Sequence, residues 1–141
     1  MTMAKKITAK NNVTILVEEK ERNDQAEISL RMSGSETCIL HWGLSGTPGG
    51  VWQIPPQSLW PDGSIAYGQT AVQTHFSTHN GEKQIVIRLE QAANSSIINF
   101  ALFYPDTGQW DNNNGKNYSI RLTQFKRQNI SPLHALKEEM K

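Results

Sequence analysis

The chain has 141 residues, 37% of them hydrophobic and 19% charged, the size of one domain and long enough to bury a core without metals or disulfides. Fourteen Lys and Arg stand against thirteen Asp and Glu for a formal net charge of +1, so no long-range field gathers phosphate backbones or anionic lipid, and nucleic acid and membrane are excluded as expected partners. Cys38 is the single cysteine, which allows neither an internal disulfide nor a zinc cluster and suits a small buried hydrophobe in the run Cys38-Ile39-Leu40.

Residues 1–11 carry lysines without an apolar stretch of signal-peptide length, and no run approaches membrane-spanning length, so they read as the tail of a cytoplasmic chain. Val13, Ile15 and Val17 alternate with Thr14, Leu16 and Glu18 in a first strand, and Ile28, Leu30 and Met32 alternate with Glu27, Ser29 and Arg31 in a second. Asn23-Asp24 supplies the turn between them. Thr37 to Trp42 is a third, almost continuously apolar strand, as a central strand is.

From Gly43 to Tyr67 the periodicity stops among glycines and prolines, and a long ordered loop is predicted, held by Val51, Trp52, Ile54, Leu59, Trp60, Ile65 and Tyr67. Val72, Thr74 and Phe76 then alternate with Gln73 and His75, Asn80-Gly81 turns the chain, and Ile85, Ile87 and Leu89 share one face. These two runs read as a hairpin. Ser96 to Tyr104 is a strand with Ile98, Phe100, Leu102 and Tyr104 on one face. Pro105 to Gly108 turns the chain, Gln109-Trp110 begins a short strand, Asn112 to Gly115 turns again, and Tyr118, Ile120 and Leu122 complete the sheet.

The fold expected is therefore all-β, an immunoglobulin-like β-sandwich of about seven to eight antiparallel strands over residues 12–126. Residues 127–141 read as a linker and the start of a short C-terminal helix leading to a following domain, because Leu133 to Lys141 has a helical pattern without a terminating signal.

Loop tryptophans are the chemically suggestive feature. An indole face stacks on the C–H face of a pyranose with dispersion and electrostatics aligned, while planar polar groups at the edge meet the hydroxyls. Trp52 and Trp60 either pin the loop or bind; Trp110 is a hairpin-end packing residue or a further platform; Trp42 is core or platform. His41, Gln53, Lys83, Asn112 and Asn113 are candidate polar partners. Asp62, Asp106 and Asp111 occupy turns, where Asp serves the backbone, so no pair of glycosidase carboxylates is proposed. No catalytic residue, metal ligand set or cofactor is expected, since the histidines lack ligand spacing and the glycines of residues 43–50 lack the Lys-Ser/Thr of a phosphate loop.

Several segments together carry a family resemblance: Leu40-His41-Trp42-Gly43, Trp52-Gln53-Ile54-Pro55, Pro61-Asp62-Gly63-Ser64 with Tyr67, Thr74-His75-Phe76, Ile87-Arg88-Leu89-Glu90, Ile98 to Leu102, and Trp110 to Tyr118. They resemble the starch-binding domains at the N-terminal side of α-glucan water dikinases, carbohydrate-binding module family forty-five. The resemblance implies a β-sandwich that recognises α-1,4-glucan of the starch or glycogen type, or its maltooligosaccharides. It places Trp42, Trp52 and Trp110 at aromatic positions of the pattern, and implies covalent linkage to a downstream phosphotransferase of the pyruvate-dikinase kind. The function expected is a non-catalytic glucan-binding module that targets an attached enzyme. The alternative left open by the residues is a protein-interaction or interdomain module whose tryptophans anchor a contact.

Overall fold

The computed structural model describes residues 2–22, 25–90 and 97–122. Its strands are β1 (Thr2–Thr8), β2 (Thr14–Arg22), β3 (Gln25–Met32), β4 (Ile39–Ser45), β5 (Ile65–Tyr67), β6 (Ala71–His75), β7 (Ser77–His79), β8 (Glu82–Glu90), β9 (Ile97–Tyr104), β10 (Gln109–Asp111) and β11 (Tyr118–Arg121). One sheet has the order β1-β2-β3-β8-β7. The other has the order β10-β9-β4-β6-β5, with β11 also on β9. All pairings are antiparallel.

The alternation of side chains assigns the faces. In the first sheet Ile15, Val17, Ile28, Leu30, Ile85, Ile87 and Leu89 point inward and are buried. In the second, Leu40, Trp42, Leu44, Val72, Ile98, Phe100 and Leu102 meet them. Each such side chain contributes about 1.5–3 kcal/mol by leaving water. Phe100 stacks on Tyr118 with ring centroids 5.3 Å apart. The outer face of the first sheet is charged and self-paired: Arg31 bridges to Glu18 at 2.8 Å, and Arg88 to Glu27 at 3.1 Å.

The sandwich holds, with more strands than expected. Part of the expected tail is β1, whose residues pair with β2 from Thr2↔Lys20 to Thr8↔Thr14; lysines interrupt its apolar pattern, as an edge strand tolerates. The expected hairpin is divided between sheets. β6 pairs with β4 and β5, whereas β7 makes the tight hairpin with β8. Its turn is Asn80-Gly81, with φ of 54° and 80°, the left-handed pair that a two-residue hairpin requires. The loop 43–67 is more ordered than its composition suggests, because β4 runs to Ser45, Leu44 and Gln53 form an isolated bridge, and β5 closes the segment. The Asn23-Asp24 turn and the C-terminal linker and helix lie outside the described residues.

Candidate functional site: an aromatic groove on the second sheet

His41 lies between the core residues Leu40 and Trp42 and so projects from the outer face of the second sheet. Three aromatic rings surround it: Trp52 at 5.8 Å, Tyr67 at 4.9 Å and Trp110 at 5.2 Å between centroids. Tyr67 and Trp110 present their planes nearly perpendicular to the imidazole, at 84° and 89°. Tyr67 is 53% exposed and Trp110 42% exposed, while Trp52 and His41 are half-buried. Ile65, exposed on β5 opposite Gln73, flanks these rings, and exposed apolar side chains so grouped mark a binding surface.

Each ring is held by its local chain. The backbones of Leu44 and Gln53 exchange hydrogen bonds of 3.0 and 2.7 Å, closing the glycine-rich loop so that Trp52 folds back over β4. There Gly43 leaves it room: a Cβ at Gly43 would lie 2.8 Å from Trp52 Cε3 and 2.6 Å from the Thr70 carbonyl oxygen. Trp110 sits on β10 opposite Phe103, ring to ring at 4.7 Å. Tyr67 is carried by β5, opposite Ala71.

β10 and β11 share one edge of β9 in tandem, and the segment between them, Asn112 to Asn117, forms the groove's rim. Asn113, Asn114 and Asn117 take φ near 60°, a left-handed conformation that asparagine tolerates better than most residues. Asp111 fastens this rim. Its buried carboxylate accepts from the Tyr118 hydroxyl at 2.9 and 3.0 Å, the Asn113 backbone N–H at 3.1 Å and the Lys10 backbone N–H at 3.0 Å. Burial and the Asp111 carboxylate push the Tyr118 hydroxyl up to about 12.

The resulting open groove, of about 500 Å³, is lined by His41, Trp52, Ala101, Trp110, Asn112 and Asn117. Gln73 Nε2 lies 3.2 Å from His41 Nδ1. With Gln73 donating, the imidazole keeps its proton on Nε2. Burial lowers the His41 pKa from its ordinary value, so the lining is uncharged at neutral pH and offers aromatic faces beside amide and imidazole edges. Such a surface suits a neutral polyhydroxylated ligand.

Of the residues anticipated from the sequence, the structure gathers His41, Trp52, Trp110 and Asn112. Trp42 is corrected: it is wholly enclosed, and its Nε1 donates to Thr74 Oγ1 at 3.0 Å inside the sandwich, so it has no face to offer a ligand. Trp60 packs on the core and donates from Nε1 to the Pro55 carbonyl at 2.9 Å, pinning the loop. Lys83 is buried on β8 of the other sheet, where its Nζ donates to the Glu36 carbonyl. Asn113 turns inward, its Nδ2 donating to the Asn117 carbonyl at 3.0 Å. Gln53 is exposed, and its backbone closes the loop. Tyr67, Gln73 and Asn117 were not anticipated as site residues. The signal for Tyr67 was its spacing from Ala71 across a tight turn, which sets it on the face of His41.

Among the described residues no group of three His, Cys, Asp or Glu side chains is placed to hold a metal ion, and no helix is long and apolar enough to cross a membrane.

A family model described as the Ig-like N-terminal domain of alpha-glucan water dikinase 1 matches residues 1–122. The chain belongs to this family. It is 31% identical over 112 residues to alpha-amylase 3, chloroplastic, of Arabidopsis thaliana, covering 76% of this chain and 12% of that protein. It is 29% identical over 114 residues to alpha-glucan water dikinase 2 of the same plant, covering 78% and 8%. To the chloroplastic alpha-glucan water dikinase of Solanum tuberosum it is 32% identical over 78 residues, covering 55% and 5%. No solved structure matches. The matches thus take in between 5% and 12% of the length of these relatives, and the chain corresponds to the Ig-like N-terminal domain of alpha-glucan water dikinase, which is not the catalytic part of that protein.

Proposed function

We propose that this domain is a non-catalytic module that binds α-1,4-glucan of the starch or glycogen type and holds an attached enzyme on it. The observation that carries the reading is the convergence of Trp52, Tyr67 and Trp110 around a half-buried, neutral His41 in an uncharged open groove. Stacking rings supply the contact area, and His41, Asn112 and Asn117 supply donors and acceptors for ring hydroxyls. Relatives named for α-glucan chemistry support the choice of sugar. Affinity at a single shallow groove is weak, and avidity from the attached protein raises it. A cytoplasmic location and a downstream phosphotransferase complete the proposal.

Calorimetric titration with maltoheptaose tests it. Trp110→Ala and Trp52→Ala, checked by circular dichroism for retained fold, are expected to lose binding by about tenfold, equivalent to about 1.4 kcal/mol. Unchanged affinity in both folded variants overturns the reading. A second reading, an interdomain contact surface, is favoured by Val51 and Ile65, which are 84% and 61% exposed. It predicts that Val51→Ser and Ile65→Ser weaken docking to the rest of the full-length protein and leave maltoheptaose affinity unaltered.

A further inference from the structure

A second depression lies where the chain crosses from β6 in one sheet to β7 in the other. It encloses about 450 Å³, with Pro61, Ile85 and Val86 among its apolar lining and Asp62, His75, His79 and Gln84 among its polar lining. The side chains of these four make no hydrogen bond or ion pair with another described residue, and Asp62, His75 and His79 are exposed. Their donors and acceptors are thus uncommitted.

The wall that carries Asp62 is built rather than loose. Ser64 Oγ donates to the Pro61 carbonyl at 2.7 Å and lies 2.7 Å from Thr74 Oγ1, so the Thr74 hydroxyl donates to it; Thr74 in turn accepts from the indole of Trp42. The buried tryptophan thereby anchors the turn. β6 leads from the aromatic groove toward this depression. Gln73, hydrogen-bonded to His41, and His75 are two residues apart on β6, on the same outward face, and so separated by about 7 Å along the strand. His75 continues the outward face that carries Gln73, and the depression opens beyond it at the edge between the two sheets, where β7 and β8 of the first sheet supply His79 and Gln84.

We propose that this depression is an extension subsite for the same glucan chain, in which Asp62, His75 and Gln84 take the hydroxyls of sugar rings that overhang the aromatic groove. The inference rests on the glucan-binding reading above. A carboxylate beside imidazoles and an amide disfavours an anion and matches hydroxyls, which donate to Asp62 and accept from Gln84. The ligand must exceed the length that the aromatic groove alone accommodates.

The test compares maltotriose with maltoheptaose on the parent and on Asp62→Ala/His75→Ala, with Gln84→Ala as a second variant. These side chains are solvent-facing or uncommitted, so the variants retain the fold. The expected result is a loss of about tenfold in maltoheptaose affinity and no change for maltotriose. In parallel, the His75 and His79 ring resonances shift with maltoheptaose only. Equal maltoheptaose affinity in parent and variants overturns the extension alone, as does an equal loss for both sugars. If the parent binds neither sugar, the glucan reading falls and takes the extension with it.

Discussion

The indole of Trp52 occupies space that only a glycine at position 43 leaves free. Gly43→Ala sets a methyl group 2.8 Å from Trp52 Cε3 and 2.6 Å from a backbone oxygen, contacts that require one or the other to move. A cost of about 1–3 kcal/mol in stability is expected, with a loss of maltoheptaose affinity as the ring is displaced. Thermal melting and titration on the same sample check both. Trp42 and Trp110 separate in the opposite way: Trp42→Ala empties the core and costs about 3–5 kcal/mol, whereas Trp110→Ala, at the surface, keeps the fold. His41 introduces a pH dependence. Burial lowers its pKa below the ordinary 6.5, so below that pH the unfolded chain takes up its proton before the folded one does. The stability held by the neutral ring is complete above 6.5 and is lost as pH falls through the folded value. Melting temperatures measured on both sides of that pH should show this slope in the parent and a reduced slope in His41→Gln.

The element on which the site depends most is the divided edge of β9. β10 and β11 both pair there, and the asparagine rim between them is held by Asp111, which also reaches the backbone of Lys10 next to β1 and β2 of the other sheet. Asp111→Asn keeps the shape but replaces one acceptor oxygen with a donor that faces N–H and O–H groups. A stability loss of about 1–3 kcal/mol is expected, with amide exchange quickened first in residues 112–117. Tyr118→Phe, which removes one donor and leaves the backbone two, should show a smaller version of both effects. How far such elements are legible in a sequence varies with their physics. β3 is legible because its apolar residues alternate with Glu27, Ser29 and Arg31, whereas β9 is legible from its nearly unbroken apolar run; Trp42 stays ambiguous in the sequence because the run Thr37 to Trp42 is apolar on both faces and the period that continues through Leu44 is hidden by Gly43. β1 escaped because an edge strand keeps its lysines. β5 escaped because three residues are too few to establish a period. The expected hairpin joins the wrong partners because periodicity carries no mark of the change of sheet at Phe76. Lys83 reads as a surface donor because a lysine is seldom placed on an inward register.

At the scale of the whole molecule the two outer faces differ in kind: ion pairs cover the first sheet and aromatic rings the second. Arg88→Ala, which takes the cation from the buried Glu27 carboxylate, should lower stability by about 1–3 kcal/mol and leave maltoheptaose affinity as it was. Because the groove is uncharged, that affinity should hold steady between low and high salt, unlike binding steered by charge. Cys38 lies between these faces, in the wall of the sandwich. It is 1% exposed, and burial pushes its thiol up to about 12, so alkylating reagents meet neither a thiolate nor a path to it in the closed protein. The chain therefore carries a native reporter. The rate at which Cys38 becomes labelled measures how often the two sheets part, and a ligand seated on the far side of the second sheet will slow that rate in proportion to how tightly it is held.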